Sequence, residues 1–150
     1  MRVVIGANNR GVAVRDRVVG LLRQLGYEVD QVEIAEGQVA EYPEIAASVA
    51  RRVQQGKADR GVLIGRTGMG MCIVANKFPG VRAAVCHDDF AAEMSRRHLD
   101  VNVVCLSADL VGKEMIDRIV ETWLKIPFEG GRHARQVERI GLIERQGTVK

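Results

Sequence analysis

Arg60-Gly61-Val62-Leu63-Ile64 runs directly into Gly65-Arg66-Thr67-Gly68-Met69-Gly70, and a second apolar stretch, Met71–Lys77, follows at once. The first five residues form a short β-branched run bounded by turn residues, which predicts a fully buried strand. Three glycines in the next six positions predict a tight strand-to-helix loop, with a short helix over Met71–Lys77. A strand leading through such a loop into a helix is the repeating unit of a parallel sheet.

The flanking sequence repeats this unit. Arg2–Ala7 predicts a first strand, closed by the turn Asn8-Asn9-Arg10-Gly11. Val14, Val18, Leu21, Leu22 and Leu25 recur at helical spacing up to Gly26. Glu28–Glu33 reads as a strand and Ala35–Glu41 as a polar loop. Tyr42-Pro43 opens a helix, because proline suits the first helical position. Beyond Pro79-Gly80, strands are expected at Val81–Val85 and Val101–Leu106, with a helix over Asp88–Arg97 between them. A long helix over Val111–Ile126 carries apolar residues on most sides, and a last one runs from about Arg132 to Arg145. Five alternations predict an α/β, Rossmann-like, doubly wound five-stranded parallel sheet with helices on both faces. Ligands on such sheets sit beyond the carboxyl ends of the strands, so the turns after the first and third strands are the places to search.

Composition narrows the function. The chain has 150 residues, 47% of them hydrophobic, which suits one domain with a real core. Its 22 basic and 19 acidic residues are well mixed, and aromatics are 4%, a poor match to a nucleic-acid binder. No run approaches the ~18 apolar residues of a membrane span, and the start of the chain does not read as a signal peptide, so a cytoplasmic location is expected. Cys72, Cys86 and Cys105 are scattered without a CxxC pair, against a disulfide scaffold or a structural zinc site. Cys86 and Cys105 read as small buried hydrophobes.

Four constellations carry chemistry. The Gly65–Gly70 loop can bring backbone N–H groups close to an anion or oxyanion, or can be a plain turn. It is neither a Walker loop nor a dinucleotide fingerprint. Asn8, Asn9 and Arg10 can hydrogen-bond a polyol at the sheet edge, or simply make the turn. His98, in Ser95-Arg96-Arg97-His98 and followed by Asp100 and Asn102, can move a proton or can sit as a cation at a helix C-terminus. Gly130-Gly131-Arg132-His133-Ala134-Arg135 offers guanidinium donors for a phosphate, or a solvated basic face. The last helix, with Val137, Ile140 and Ile143, either docks on its own domain or reaches across a dimer; residues 131–150 are expected to serve dimer contacts.

These pieces occur together and in this order in one family. The chain resembles the type-B ribose-5-phosphate isomerases and the related galactose-6-phosphate isomerase subunits. Tyr42-Pro43, Thr67-Gly68-Met69-Gly70, Ile73 through Arg82 with its Ala75-Asn76-Lys77 core, Ser95-Arg96-Arg97-His98, Asn102-Val103 and Glu129-Gly130-Gly131-Arg132-His133 carry the resemblance. It implies a Rossmann-like homodimer or dimer of dimers with shared sites and with no metal or organic cofactor. The reaction it implies interconverts aldose and ketose phosphates through an enediolate. By the same resemblance, the glycine loop (Gly68, Met69, Gly70) supplies oxyanion donors, Tyr42 and His98 handle the ring, and Arg132 and its neighbours grip the phosphate.

The chain also departs from that pattern. Asn8-Asn9 stands where the family carries Asp-His, and Gly65 where it carries a catalytic cysteine. Arg66 replaces the first loop glycine, Met71 a glutamate used by another branch, Leu99 an asparagine, and Gln136 a phosphate-gripping arginine beside Arg135. The expectation is an isomerase with altered substrate or chemistry and a relocated base, Cys72 or His98, with Thr67 and Tyr42 assisting. Arg66 and Arg10 would supply charge for a phosphate or carboxylate. The alternative is a non-catalytic sugar-phosphate-binding homologue or one subunit of a hetero-oligomer.

Overall fold

The computed structural model describes residues 1–34, 38 and 40–148, so most of the loop expected over 35–41 lies outside the described residues. Strands are β1 (Arg2–Ala7), β2 (Glu28–Gln31), β3 (Arg60–Gly65), β4 (Ala83–Val85) and β5 (Val103–Ser107). Helices are α1 (Val12–Gln24), α2 (Tyr42–Gln54), α3 (Met69–Ala75), α4 (Asp89–Leu99), α5 (Lys113–Lys125) and α6 (Arg132–Thr148), with a 3-10 turn at Asn9–Gly11. The strands form one sheet in the order β2-β1-β3-β5-β4, and every pairing is parallel.

Alternate residues of the central strands feed two cores, as the period of two requires. Ile5, Val62, Ile64 and Leu106 pack with Val18 and Leu22 of α1, Ala92 of α4 and Ile119 and Trp123 of α5. Val4, Leu63, Val103 and Cys105 face the other way, against Ile45 and Val49 of α2 and Met71 and Ala75 of α3. The sheet is therefore doubly wound, as the strand-helix alternation predicts. No helix among the described residues is long and apolar enough to cross a membrane.

Several boundaries differ from the expectations, each for a local reason. β4 starts at Ala83 rather than Val81, because Val81 N–H closes a turn onto Phe78 O and Arg82 N–H goes to Asn102 Oδ1. α5 is not apolar all round: Ile116, Ile119, Val120, Trp123 and Leu124 are buried while Lys113, Glu114, Arg118 and Lys125 are exposed. α3 starts at Met69 rather than Met71. Gly68, at φ +81°, forms the N-cap and Thr67 Oγ1 accepts the Met69 N–H at 3.2 Å, so the chain turns helical two residues early.

Candidate active site

The carboxyl ends of β1 and β3 meet at a cleft of about 180 Å³ lined by Asn8, Tyr42, Gly65, Arg66, Thr67, Gly68, Gly70 and Met71. Two elements fix it. Asn8 follows β1, donates its N–H to Ile64 O at 3.1 Å, and accepts the Gly11 N–H on its side-chain oxygen at 3.1 Å. That bond sets the amide orientation, leaving Nδ2 as a donor. The loop after β3 is tied to the segment after β5: Ser107 Oγ donates to Arg66 O at 2.6 Å and Ala108 N–H to Gly65 O at 2.9 Å.

Glycine is required at Gly68, and at Gly70 it leaves room for the Tyr42 ring. A Cβ on Gly68 would approach Leu106 O to 3.1 Å at a left-handed φ, and one on Gly70 would meet the Tyr42 ring at 2.6 Å. Gly70 thus seats the exposed Tyr42 ring against the first turn of α3. Cys72 N–H makes the first bond inside that helix, to Gly68 O. The N–H groups of Gly70 and Met71 precede it, where a helix leaves donors for a ligand. Met69 itself is exposed and is not among the lining residues.

Other expected site residues lie elsewhere. Arg66 borders the cleft, but its guanidinium is paired with Asp109 Oδ2 at 3.1 Å rather than free. Asn9 and Arg10 are exposed in the 3-10 turn and do not line the cleft. Cys72 Sγ faces β4, donating to Ala83 O at 3.5 Å, and packs with the α2/α3 core, so its thiol is directed away from the cleft. Its pKa is lowered to about 7, first by a hydrogen bond from Cys105, then by a backbone bond from Val85, with burial opposing both. Cys105 is held well above the ordinary range by the same contact and by burial, so Cys72 is the member of the pair that ionises. Asn102 spends its side chain on the backbone, accepting from Arg82 N at 2.8 Å and donating to Gly80 O at 2.9 Å.

His98 and the last helix occupy the opposite edge of the sheet. His98 closes the last turn of α4 before Asp100, and the chain then enters β5 at Val103. Its ring stacks on that of His133, with centroids 4.2 Å apart and planes 11° apart. His133 is buried, its Nε2 3.5 Å from Glu129 Oε2 and its Nδ1 without a partner. Arg132, Arg135 and Gln136 stand exposed on the first turns of α6 beside it. Gly65 pairs with Ser107 at the far end of β5, so about 13 Å of strand, at ~3.3 Å per residue, separates the two groups within one chain. The ligand atoms of His98, Glu129 and His133 lie within 4.8 Å of one another. Nearly parallel rings, however, aim their in-plane lone pairs side by side rather than at one point, which suits a packed junction between α4 and α6 better than a metal centre.

The sequence-profile model described as Ribose/Galactose Isomerase matches residues 3–140. The chain belongs to the ribose/galactose isomerase family. Among family members, the D-erythrulose-4-phosphate isomerase of Pectobacterium atrosepticum is 38% identical over 147 residues, covering 97% of both chains. Ribose-5-phosphate isomerase B of Escherichia coli is 38% identical over 145 residues, again covering 97% of both. The solved ribose-5-phosphate isomerase B of Clostridium thermocellum superposes with a TM-score of 0.94 at 40% identity, covering 99% of this chain and 100% of that one. The Mycoplasma genitalium enzyme of that name, solved with bound ribulose-5-phosphate, gives 0.91 at 32% identity, with 97% of each chain covered. The fold and the sugar-phosphate isomerase family expected from the sequence are thus both found.

Sequence reasoning missed Arg96. It is buried, donates to Val101 O at 2.7 Å and Ile126 O at 3.3 Å, and pairs with Asp100 at 2.8 Å. It holds the end of α4 that carries His98. Its signal was available as a basic residue two positions before the histidine, but periodicity does not separate it from the half-buried Arg97.

Proposed function

We propose that the chain is an aldose–ketose isomerase of a sugar phosphate whose site is assembled from two copies. One copy supplies the cleft at the ends of β1 and β3, and the second supplies the His98–Arg132 edge. The observation that carries this reading is the division of the expected site residues between opposite edges of one sheet. A two-fold axis can bring one edge of each copy against the other edge of its mate. The cleft volume supports it, since ligand sites commonly enclose about 300–1,000 Å³ and this cleft alone falls short. α6 supports it as well. It docks on its own chain through the His98–His133 stack and the bond from Gly80 N–H to Glu144 Oε2, yet leaves Ile140, Leu142 and Ile143 exposed.

In this assembly the N–H groups of Gly70 and Met71 face the sugar oxygen on which negative charge develops, and Tyr42 borders the ring. Arg132 and Arg135 of the partner subunit hold the phosphate, with Gln136 of the partner subunit beside them. Cys72 is turned away, so His98 of the partner subunit is the group left to move protons between carbons or open the ring. No organic cofactor takes part in this scheme. Solvent-deuterium exchange into four- to six-carbon aldose and ketose phosphates, followed by NMR, tests it: exchange into one of them is expected, and none into any would overturn it.

A non-catalytic sugar-phosphate-binding role, or service as one subunit of a hetero-oligomer, is the second reading. It is favoured by one observation: among the described residues lining the cleft there is no carboxylate, thiol or imidazole.

A further inference from the structure

Two thiols meet in the core beneath α3, and the reaction scheme uses neither. Cys105 stands on β5, is fully buried, and points with Val103 into the core that α2 and α3 cover. Cys72 reaches the same core from α3, packed against it but partly exposed. Three contacts fix the place of its sulfur. Sγ lies 3.5 Å from Ala83 O, accepts the Asn76 side-chain amide at 3.6 Å, and takes the Val85 N–H. Val85 is the register partner of Cys105, and Ala83 that of Val103. The Cys72 sulfur therefore sits over the β4–β5 pair where Cys105 emerges, and the two side chains are in hydrogen-bond contact there. Cys86 belongs to the other core, under α4 and α5, where it is hydrogen-bonded with Ser95.

We propose that Cys72 and Cys105 form a peroxide-responsive dithiol, which closes to a disulfide tying α3 to β5. The Cys72 thiolate attacks one oxygen of hydrogen peroxide. The O–O bond breaks, the departing hydroxide takes a proton from solvent, and Cys72 is left as a sulfenic acid. The Cys105 sulfur then attacks the Cys72 sulfur. The S–O bond breaks, and the hydroxide leaves with the Cys105 proton as a second water. The two thiols lose two electrons, and the peroxide gains them. Environment divides the roles. Cys72 is partly exposed, with its pKa lowered to about 7, and is the attacking sulfur. Cys105 is sealed from solvent and stays protonated until the second step. The bridge would also reach the cleft, because Gly70 and Met71 belong to the same short helix as Cys72. The dithiol itself stands apart from the reaction assigned to that cleft.

The test adds stoichiometric hydrogen peroxide to the reduced full-length protein and reads intact mass and peptide maps. Wild type should lose two hydrogens per chain and give a linked peptide pair joining Cys72 to Cys105. Iodoacetamide labelling at Cys72 should be lost with the bridge and return with dithiothreitol. Cys105→Ala should stop at the sulfenic acid, gaining one oxygen at Cys72 that dimedone traps. Cys86→Ala should still form the bridge. A wild type that keeps its mass, or gains oxygen at Cys72 without losing two hydrogens, overturns the proposal. So does a bridge that includes Cys86 or one that joins two chains. Should the Cys105 variant fail to fold, the wild-type peptide map alone decides the matter.

Discussion

Gly65 and Asn8 stand where the family resemblance places proton-moving groups, and both line the cleft at the ends of β1 and β3. The Cβ position on Gly65 is clear of its neighbours by 3.5 Å or more, so Gly65→Cys should fold normally and place a thiol at the cleft. Restoring such a base is expected to raise isomerase turnover by about 10²- to 10⁴-fold, measured by solvent-proton exchange; no gain would mean that the missing base does not limit the rate. Gly70→Ala has the opposite character. Its methyl would strike the Tyr42 ring and displace it, so the sugar-phosphate Kd should rise roughly tenfold, about 1.4 kcal/mol, with thermal stability nearly unchanged because Tyr42 is exposed. Among the thiols, Cys72 has its pKa lowered to about 7 from 9.0 while burial pushes Cys86 up to about 11. Alkylation of the folded protein should therefore modify Cys72 first, with a midpoint near pH 7. Since the native state favours the Cys72 thiolate, the stability it adds is complete above pH 9 and is lost as pH falls through 7. Equal labelling of all three cysteines would contradict this.

Between elements, the Arg96 side chain joins the end of α4, the approach to β5 and the end of α5 through Val101 O, Ile126 O and Asp100. Arg96→Leu removes charged donors from buried carbonyls and should cost roughly 3 kcal/mol of folding stability, read from urea denaturation; a loss below about 1 kcal/mol would leave this junction without its assigned role. Alternating elements were legible because each strand is a compact apolar run and α1, α2 and α6 carry clear 3.6-residue periods. Element ends were less so. The early start of α3 depends on one hydroxyl and one left-handed glycine, and the late start of β4 on asparagine side chains competing for its backbone. Hydropathy patterns record none of these bonds. For the same reason Cys72, one residue along from Met71, looked available to the cleft, while helical rotation directs it to β4. Asn102 likewise looked like a sugar ligand and turns out to be a brace between Arg82 and Gly80.

For the whole molecule, the sequence placed Asn8, Tyr42 and the glycine loop at the carboxyl edge, and they do converge there. His98 ends the helix that runs into β5, which in a parallel sheet puts it at the amino edge; Arg132 was not legible in that way, because α6 leads into no strand and only the His98–His133 stack places it there. That division is what the proposed assembly explains. It is tested by mixing two variants, Gly68→Val, which spoils the cleft, and His98→Ala, which spoils the opposite edge, after unfolding and refolding them together. Each variant refolded alone should be inactive on the sugar phosphate that wild type turns over. The mixture should recover roughly a quarter of wild-type turnover, since a mixed dimer pairs one intact cleft with one intact histidine edge. A mixture no more active than its components, although mixed dimers have formed, would contradict a site built from two copies.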